Sequence, residues 1–315
     1  MEQISIFDYL ESAENIPFKI DRPVKLIEMF GGIGSQAMAL RDLGMDFTSD
    51  LVEIDKYAVK SYNAIHGTDF EPRDIREVKG SDLNICDTDK YIYIACYSFP
   101  CQDLSVAGKQ KGMAKGDNTR SGLLWEVERI LSECNTLPQV LLMENVPQVH
   151  SSKNLPEFMK WLEFLESKGY KNYYQDLNAK NYGVAQSRNR CFMVSLLGNY
   201  TYEFPKPIEL DRCMKDYLED EVDEKYYLNG EKARKLIVEL IARGALDKIA
   251  EQVDALASKQ ASKQASKQAS TATIDLCLKN PGTIDVANCI KARYDAGVSN
   301  QQADGSGVIE INRLS

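Results

Sequence analysis

The sequence predicts an α/β fold with a doubly wound, mostly parallel sheet and a smaller, less regular C-terminal region. Strand-like apolar segments alternate with amphipathic helical segments up to about residue 197. A glycine-rich turn at residues 31–34 joins the first strand to the first helix. After Pro205 this alternation ends and charged residues become frequent. The two halves of the chain are therefore expected to differ in regularity.

The individual elements follow from residue type and periodicity. Aromatic and β-branched runs predict strands, and an apolar spacing of three to four residues predicts helices. The predicted strands are 24–30, 47–53, a short one ending near Asp74, 91–97, 139–143 and 191–196. The predicted helices are 35–41, 55–64, 123–134 and 158–167. This alternation favours parallel pairing with helices on both faces of the sheet.

Composition excludes several classes of protein. Hydrophobic residues make up 43% and charged residues 27% of the 315-residue chain, as in soluble globular proteins. No apolar run approaches the ~20 residues of a membrane span, and the N-terminus lacks a signal-peptide pattern, so we expect a cytoplasmic protein without membrane contact. The net charge of −9 disfavours non-specific nucleic-acid binding. A local basic cleft can still hold a phosphate backbone.

Cysteine and histidine spacing predicts no metal centre. The eight cysteines include no CxxC pair, and reduced thiols are expected in the absence of a secretion signal. His66 and His150 are the two histidines, and neither has a Cys or His neighbour at ligand spacing. We therefore expect no zinc site and chemistry without a metal.

Acidic residues follow the glycine turn at the ends of the predicted strands. Glycines between a strand and a helix let the backbone pass close to a ligand, although a simple tight turn has the same pattern. Glu53 lies about 20 residues further on, where a carboxylate can accept hydrogen bonds from ribose hydroxyls. Asp74 is placed to bind an exocyclic amino group such as that of adenine. Together these residues predict a pocket for a nucleoside-bearing cofactor, without specifying which one.

A cysteine and a glutamate stand at the carboxyl edge of the same sheet. Cys101 follows the strand 91–97 in a Pro-containing turn, where a thiolate would suit attack on an electron-poor aromatic ring. Glu144 directly follows the apolar strand 139–143 and can supply a proton or hydrogen bond to a ring nitrogen. A buried structural carboxylate is the alternative interpretation of Glu144 taken alone.

Basic residues accompany this pair. The segment 102–120 combines lysines and Arg120 with three glycines, which is typical of a flexible loop able to close over an anionic polymer. Arg188 and Arg190 stand at i, i+2 before a strand and hence on one side of it. There they can reach a phosphate, a carboxylate or a carbonyl oxygen. Taken alone, the segment fits a solvated loop and the arginines fit surface ion pairs.

In this order the motifs resemble those of the cytosine-C5 DNA methyltransferases of bacteria and phages, over about residues 24–197. The six matching blocks are Phe30-Gly31-Gly32-Ile33-Gly34, Glu53-Ile54-Asp55, Asp74-Ile75, Pro100-Cys101-Gln102, Glu144-Asn145-Val146 and Gln186-x-Arg188-x-Arg190. Residues 118–124 stand where the family closes its cofactor pocket. Ser35 departs from the pattern, because a third glycine is frequent there.

The resemblance implies a Rossmann-like fold, S-adenosylmethionine as cofactor, S-adenosylhomocysteine as product, and no metal. The catalytic residues it implies are Cys101, Glu144, Arg188 and Arg190. Cofactor contacts are implied for Phe30, Gly32, Ile33, Gly34, Glu53, Ile54, Asp74, Ile75, Pro100 and Leu123. Contacts with double-stranded DNA are implied for Gln102, Ser105, Lys109 and Arg120.

The implied reaction begins with the target cytosine flipped out of the duplex. Cys101 adds to C6 while Glu144 binds N3 and the amino group, and Arg190 with Arg188 holds the O2 side. The ring then takes the methyl group at C5, a base removes the C5 proton, and β-elimination frees Cys101.

The same resemblance divides the chain into an N-terminal extension (1–23), a catalytic and cofactor-binding domain (24–197) and a target-recognition region (198–315). The last includes a low-complexity Ala/Ser/Lys/Gln stretch at 257–270, typical of a solvated linker or helix end. The family's final Arg-containing block and Gly-Asn motif are not found in it. Three explanations of the missing motifs stay open. The chain is a shortened copy, a compact variant, or one half of a split enzyme whose second chain supplies them.

Other functions stay open at this point. A related branch of the family methylates tRNA with the same catalytic blocks. A non-catalytic DNA-binding subunit would explain the C-terminal departure but not Cys101 and Glu144. A nucleotide-dependent dehydrogenase would not explain Pro-Cys-Gln followed by Glu-Asn-Val.

Overall fold

The computed structural model describes residues 16–104, 112–116 and 119–211, with short pieces further on at 213–217, 219, 238, 272–275, 282–283, 287–288 and 308–311. The chain divides into two compact units. The first comprises Met1–Leu177 and Asn189–Pro205, and the second Asn178–Arg188 and Lys206–Ser315. The sequence-based division after residue 197 stays a prediction. The stretch 257–270 and the first 15 residues lie outside the described part.

The strands and helices of both units are numbered in chain order. In chain order the strands are β1 (Ile16–Pro17), β2 (Val24–Met29), β3 (Phe47–Val52), β4 (Ile92–Tyr97), β5 (Val140–Asn145), β6 (Tyr170–Asn178), β7 (Gln186–Ser187), β8 (Asn189–Leu197), β9 (Tyr200–Thr201), β10 (Ala272–Asp275), β11 (Gly282–Thr283), β12 (Ala287–Asn288) and β13 (Val308–Ile311). The helices are α1 (Ser35–Asp42), α2 (Lys56–His66), α3 (Leu124–Glu133) and α4 (Leu155–Ser167). Short 3-10 turns lie at Gly80–Leu83, Ser121–Leu123, Pro147–His150, Ala179–Tyr182 and Met214–Tyr217.

The central sheet has six strands in the order β3-β2-β4-β5-β8-β6. β2 pairs in parallel with β3 and β4, β4 pairs in parallel with β5, and β8 runs antiparallel to β5. All six residues of β4 are buried, which explains its continuous apolar sequence. The predicted mostly parallel sheet is confirmed, with one antiparallel pairing beside β5.

Helices cover both faces of this sheet. One buried cluster joins Tyr97 and Leu141 of the sheet to Val127 of α3 and Trp161 of α4. The Trp161 indole N–H donates to the Tyr97 hydroxyl at 3.1 Å. The opposite cluster is built from inward-facing strand residues and from the buried residues of α1 and α2, namely Ala37, Val59 and Tyr62. The doubly wound arrangement is therefore confirmed.

Two local predictions differ from the structure. Residues 68–79 form no strand, so the predicted strand ending near Asp74 is wrong. Pro72 removes a backbone donor there, and the one backbone–backbone hydrogen bond from this segment to the end of β3 runs from Arg73 N–H to the Glu53 carbonyl at 2.8 Å. β6 was not predicted, because its sequence, YKNYYQDLN, is largely polar and mostly exposed or half-buried.

No helix in the described ranges is long and apolar enough to cross a bilayer.

Candidate active site

A cavity of about 880 Å³ opens at the carboxyl ends of β2 and β3, within the size range of small-molecule sites. Seven residues predicted to bind the cofactor line it: Phe30, Glu53, Ile54, Asp74, Ile75, Pro100 and Leu123. Arg73, Arg76, Trp125 and Glu126 also line it, and the sequence did not indicate them. Trp125 directly follows the matched stretch 118–124, which is the signal that could have revealed it.

The glycine turn borders the cavity through Phe30, whereas Gly32, Ile33 and Gly34, also predicted to contact the cofactor, are not among the lining residues. Phe30 has φ of 58°, a left-handed conformation that a large side chain rarely adopts. Gly34 begins α1 with φ of 84°, and a Cβ there would lie 2.4 Å from His66 Nε2 and 2.5 Å from the Tyr62 ring. Glycine at this position is therefore required both by the backbone and by the packing against α2. Gly32 also has positive φ, but a Cβ there would meet open space.

Glu53 is held in place by the backbone. Its Oε2 accepts the Gly32 N–H at 3.0 Å, and its Oε1 accepts the Asp55 N–H at 2.9 Å. Each carboxylate oxygen can accept a further hydrogen bond. The side chain is thus oriented, with capacity left for hydroxyl donors of a ligand in the cavity.

Asp74 is paired with Arg76 at the same wall. The Arg76 Nε lies 3.0 Å from both carboxylate oxygens of Asp74, and the Arg76 N–H donates to Oδ1 at 3.0 Å. These side-chain hydrogen bonds from Arg76 hold the pKa of Asp74 below its ordinary value. Any ligand amino group that binds Asp74 must share its oxygens with this guanidinium.

The Cys101 turn is fixed by two buried side chains from elsewhere in the sequence. The Asn145 amide donates to the Phe99 carbonyl at 3.0 Å, and the Ser121 hydroxyl donates to the Pro100 carbonyl at 2.6 Å. Asn145 and Ser121 are 2% and 0% exposed, so these bonds are shielded from water. Cys101 itself is half-buried. Its turn is thereby held rigidly while the thiol lies near solvent.

Glu144 pairs with Arg190 on the neighbouring strand. The Arg190 Nε lies 3.0 Å from Glu144 Oε1, and both side chains are about four-fifths buried. The antiparallel register of β5 and β8 places Glu144 opposite Phe192, which brings Arg190 close. Because Asn145 is the next residue, the strand that positions the Cys101 turn also carries Glu144. The turn that carries the Cys101 thiol and the Glu144–Arg190 pair therefore lie at the same edge of the sheet.

Comparison with known proteins places the chain in a family. Residues 24–303 match the family model described as C-5 cytosine-specific DNA methylase. The chain belongs to this family. The predicted family is therefore confirmed.

Individual relatives match over different lengths. The orphan methyltransferase M.SssI of Spiroplasma monobiae is 45% identical over 173 residues, which cover 54% of this chain and 43% of M.SssI. The type II methyltransferase M2.ScrFI of Lactococcus lactis subsp. cremoris is 33% identical over 259 residues, 66% of this chain and 71% of the relative. The type II methyltransferase M.HhaI of Haemophilus parahaemolyticus is 34% identical, and the match spans 57% of its length. The chain therefore spans between less than half and about seven-tenths of these relatives.

Solved structures agree in fold. The Entamoeba histolytica methyltransferase EhMeth matches with a TM-score of 0.57 at 21% identity, over 67% of this chain and 64% of that one. The S. pombe Dnmt2 methyltransferase matches with a TM-score of 0.51 at 24% identity, also over 67% of this chain and 64% of that one. At this identity the likeness establishes the methyltransferase fold and nothing further.

The remaining site predictions concern the second arginine and the DNA side. Arg188 belongs to the second unit, where its N–H donates to Asn178 Oδ1 at 3.1 Å. Arg120 lines the cavity, and its guanidinium donates to Gln102 Oε1 at 2.6 Å on the surface next to Cys101. Ser105 and Lys109 lie outside the described residues. The DNA contacts of all four predicted residues stay predictions.

Proposed function

We propose that this chain methylates C5 of cytosine in double-stranded DNA through a transient covalent bond between Cys101 Sγ and C6. The observation that carries the proposal is the Asn145 hydrogen bond to the Phe99 carbonyl. It joins the turn of the nucleophile to the strand of Glu144, whose carboxylate is already oriented by Arg190. A flipped cytosine placed between these groups has a nucleophile for C6 and a hydrogen-bonding group for N3.

The cavity fits the cofactor of the family. Glu53 is oriented for the ribose hydroxyls and Asp74 for the adenine amino group, while Phe30, Ile54, Ile75 and Leu123 offer apolar contacts. Gly32, Ile33 and Gly34 shape the turn that bounds this wall. When bound, S-adenosylmethionine supplies an electrophilic methyl group. Pro100 lines the cavity and directly precedes Cys101, so the turn of the nucleophile borders the cavity that would hold the methyl donor.

The residues of the chain would act in a fixed order. Cys101 thiolate forms a bond to C6, and the displaced electron pair moves toward C5 as Glu144 hydrogen-bonds N3 and the amino group. Arg190 keeps Glu144 in place, and with Arg188 it holds the O2 side of the ring. Once C5 carries the methyl group, a base takes the C5 proton. The C5–C6 double bond re-forms and the Cys101 thiolate leaves, so no metal is required in any of these steps.

DNA binding would depend on local rather than overall charge. The chain has a net charge of −9, so its affinity for the phosphate backbone must come from clustered cations such as Arg120 and Lys109. Gln102 and Ser105, next to the nucleophile, would fill the place of the flipped base or contact its neighbours. A cytoplasmic location and a second chain that supplies further C-terminal motifs stay predictions.

The first experiment measures labelled methyl transfer to duplex DNA, to tRNA and to no nucleic acid. We expect label in duplex DNA with the unaltered chain and with the control Cys86→Ser, since Cys86 is exposed and distant in sequence from the turn. Cys101→Ser should lower transfer at least ~10³-fold, because removal of a covalent nucleophile removes its whole pathway.

The outcomes separate the remaining candidates. Label in DNA that survives Cys101→Ser would overturn the covalent mechanism, and label confined to tRNA would replace the DNA substrate by an RNA one. A duplex with 5-fluorocytosine tests the step directly, since fluorine at C5 blocks the elimination that frees the enzyme. Peptide mass analysis should find the adduct on Cys101, and an adduct on another cysteine would contradict the assignment.

A further inference from the structure

Three side chains of different chemistry meet beside the catalytic strands. They are His150, in the turn that follows β5, Asp176 on β6 and Cys191 on β8. Their ligand atoms all lie within 4.8 Å of one another. His150 Nε2 lies 2.9 Å from Asp176 Oδ1, and the Cys191 thiol hydrogen-bonds to Asp176. The spacing of histidines and cysteines along the chain did not reveal this group, because its members come from three separate segments.

The set of donor atoms indicates the class of ion. One imidazole nitrogen, one carboxylate oxygen and one thiolate sulfur suit zinc and similar borderline-soft divalent metals. Calcium and magnesium prefer oxygen ligands throughout, so the sulfur of Cys191 argues against them. Three protein ligands leave a fourth tetrahedral position for water.

The geometry needs little adjustment to accept such an ion. Metal–ligand bonds of about 2.0–2.3 Å require ligand atoms about 3.5 Å apart. The His150 and Asp176 side chains are 29% and 33% exposed, so neither is held by packing on all sides against such an adjustment. Cys191 is fully buried and holds the site from inside. The ring of His150 packs near Phe158 and Tyr174, with centroids 6.1 and 5.8 Å away, which restricts its orientation.

A nucleophilic role for Cys191 does not fit these surroundings. Its residue surface is fully covered, so no substrate reaches the thiol. Burial, with the charge of Asp176, raises the pKa of Cys191 to about 12, so a free reactive thiolate is not expected. A metal ion would have to displace the thiol proton to solvent, as it does at other cysteine ligands.

We propose that His150, Asp176 and Cys191 form a binding site for a divalent transition metal of the zinc type, with water as the fourth ligand. The ion would take no part in methyl transfer. It would tie the turn after Glu144 to β6 and to the strand that carries Arg190. Its charge of +2 would be balanced by the Asp176 carboxylate and the Cys191 thiolate. The proposed metal site is independent of the proposed function, so a negative result for one leaves the other unaffected.

The test uses the 315-residue chain with the Cys101→Ser substitution as background, because this substitution removes the reactive thiol. Cobalt(II) is titrated into metal-free protein, and thiolate-to-cobalt charge-transfer absorption and tetrahedral ligand-field bands are recorded. We expect saturation at one equivalent, loss of the absorption when zinc is added in competition, and a rise in the thermal midpoint with zinc. The control Cys86→Ser should behave like the background chain.

Variants of each ligand decide the outcome. Cys191→Ser should abolish the charge-transfer band. Asp176→Asn and His150→Gln should weaken cobalt binding at least ~10-fold, since even outer-shell partners of a metal contribute that much. Both are partly exposed positions, so these variants test the site even if Cys191→Ser is unstable. No thiolate band, or a band that persists in Cys191→Ser, would overturn the proposal and leave a hydrogen-bonded trio.

Discussion

The active site has a cofactor side, formed by the cavity-lining residues Glu53 and Asp74, and a base side, formed by the Cys101 turn and Glu144. The contacts that hold these two sides span different distances along the chain. On the cofactor side, Asp74 is oriented by Arg76, two positions away. Glu53 is bound by the N–H of Asp55, two positions away, and by the N–H of Gly32, 21 positions away. On the base side, the Phe99 carbonyl is bound by Asn145, 46 residues further along the chain. Glu144 is likewise held by Arg190, on another strand.

This difference separates two kinds of function. Contacts between near neighbours form wherever the local chain has its native conformation, so the orientation of Asp74 depends mainly on its own segment, and that of Glu53 depends on it in part. The base side exists only when β4, β5 and β8 are paired, because its contacts close long loops. We therefore expect substitutions on the base side to change turnover, and substitutions on the cofactor side to change cofactor affinity.

Among substitutions of residues that position the two sides, the largest effect is expected from Asn145→Ala. The change leaves the buried Phe99 carbonyl without its donor and releases the Cys101 turn, which should lower kcat about 100-fold and the free energy of unfolding by about 1–3 kcal/mol. The dissociation constant of S-adenosylmethionine, measured by calorimetry, should stay near that of the unaltered chain. Ser121→Ala, which frees the adjacent Pro100 carbonyl, should act in the same direction. An equal loss of cofactor affinity would break the distinction between the two sides.

An intermediate effect is expected from Gly34→Ala. The new Cβ would collide with His66 and Tyr62 at a position of positive φ, so the turn must shift. We expect about tenfold weaker cofactor binding and a loss of stability larger than the ~1–2 kcal/mol of the left-handed conformation alone. Gly32→Ala is the matched control, because it shares the positive φ but meets no atoms. Equal losses in the two variants, in calorimetry and urea unfolding, would show that packing against α2 is unimportant.

The smallest effect is expected from Arg76→Ala and appears in acid. Arg76 lowers the pKa of Asp74, so this carboxylate stays charged, and contributes stability, at pH values above the ordinary carboxyl pKa of about 3.9. That contribution is lost as the pH falls through the lowered pKa. In Arg76→Ala the pKa of Asp74 moves back toward its ordinary value, so Asp74 becomes protonated at a higher pH. Cofactor affinity should therefore weaken earlier on acidification, while changing less than about threefold at pH 7.5.

Calorimetric titration between about pH 4 and 8 measures this shift. Lys90→Ala, which removes a similar exposed ion pair remote in sequence, serves as control. Identical pH profiles for Arg76→Ala and the unaltered chain would show that Asp74 is not used by the cofactor.

Local sequence determined the parts of this protein whose causes are local. Runs rich in apolar and β-branched residues specified β2, β4 and β5. Asp55 was expected at the start of α2, where its side chain accepts the Tyr57 and Ala58 N–H groups. The glycine turn and the acidic residues after β3 were enough to expect a cofactor pocket. The segment before Asp74 was wrongly expected to be a strand, because Pro72 outweighs its other residues. The polar edge strand β6 carried no periodic signal at all.

Tertiary structure alone decided the rest. Three groups of contacts join residues that are far apart in the chain. Arg190 pairs with Glu144, and Asn145 and Ser121 hydrogen-bond to the Cys101 turn. His150, Asp176 and Cys191 come together from three segments. Motif order shows that such residues are present, but not which of them touch. Contact between distant residues depends on strand order and register, and these are set by the packing of the whole sheet rather than by any one segment.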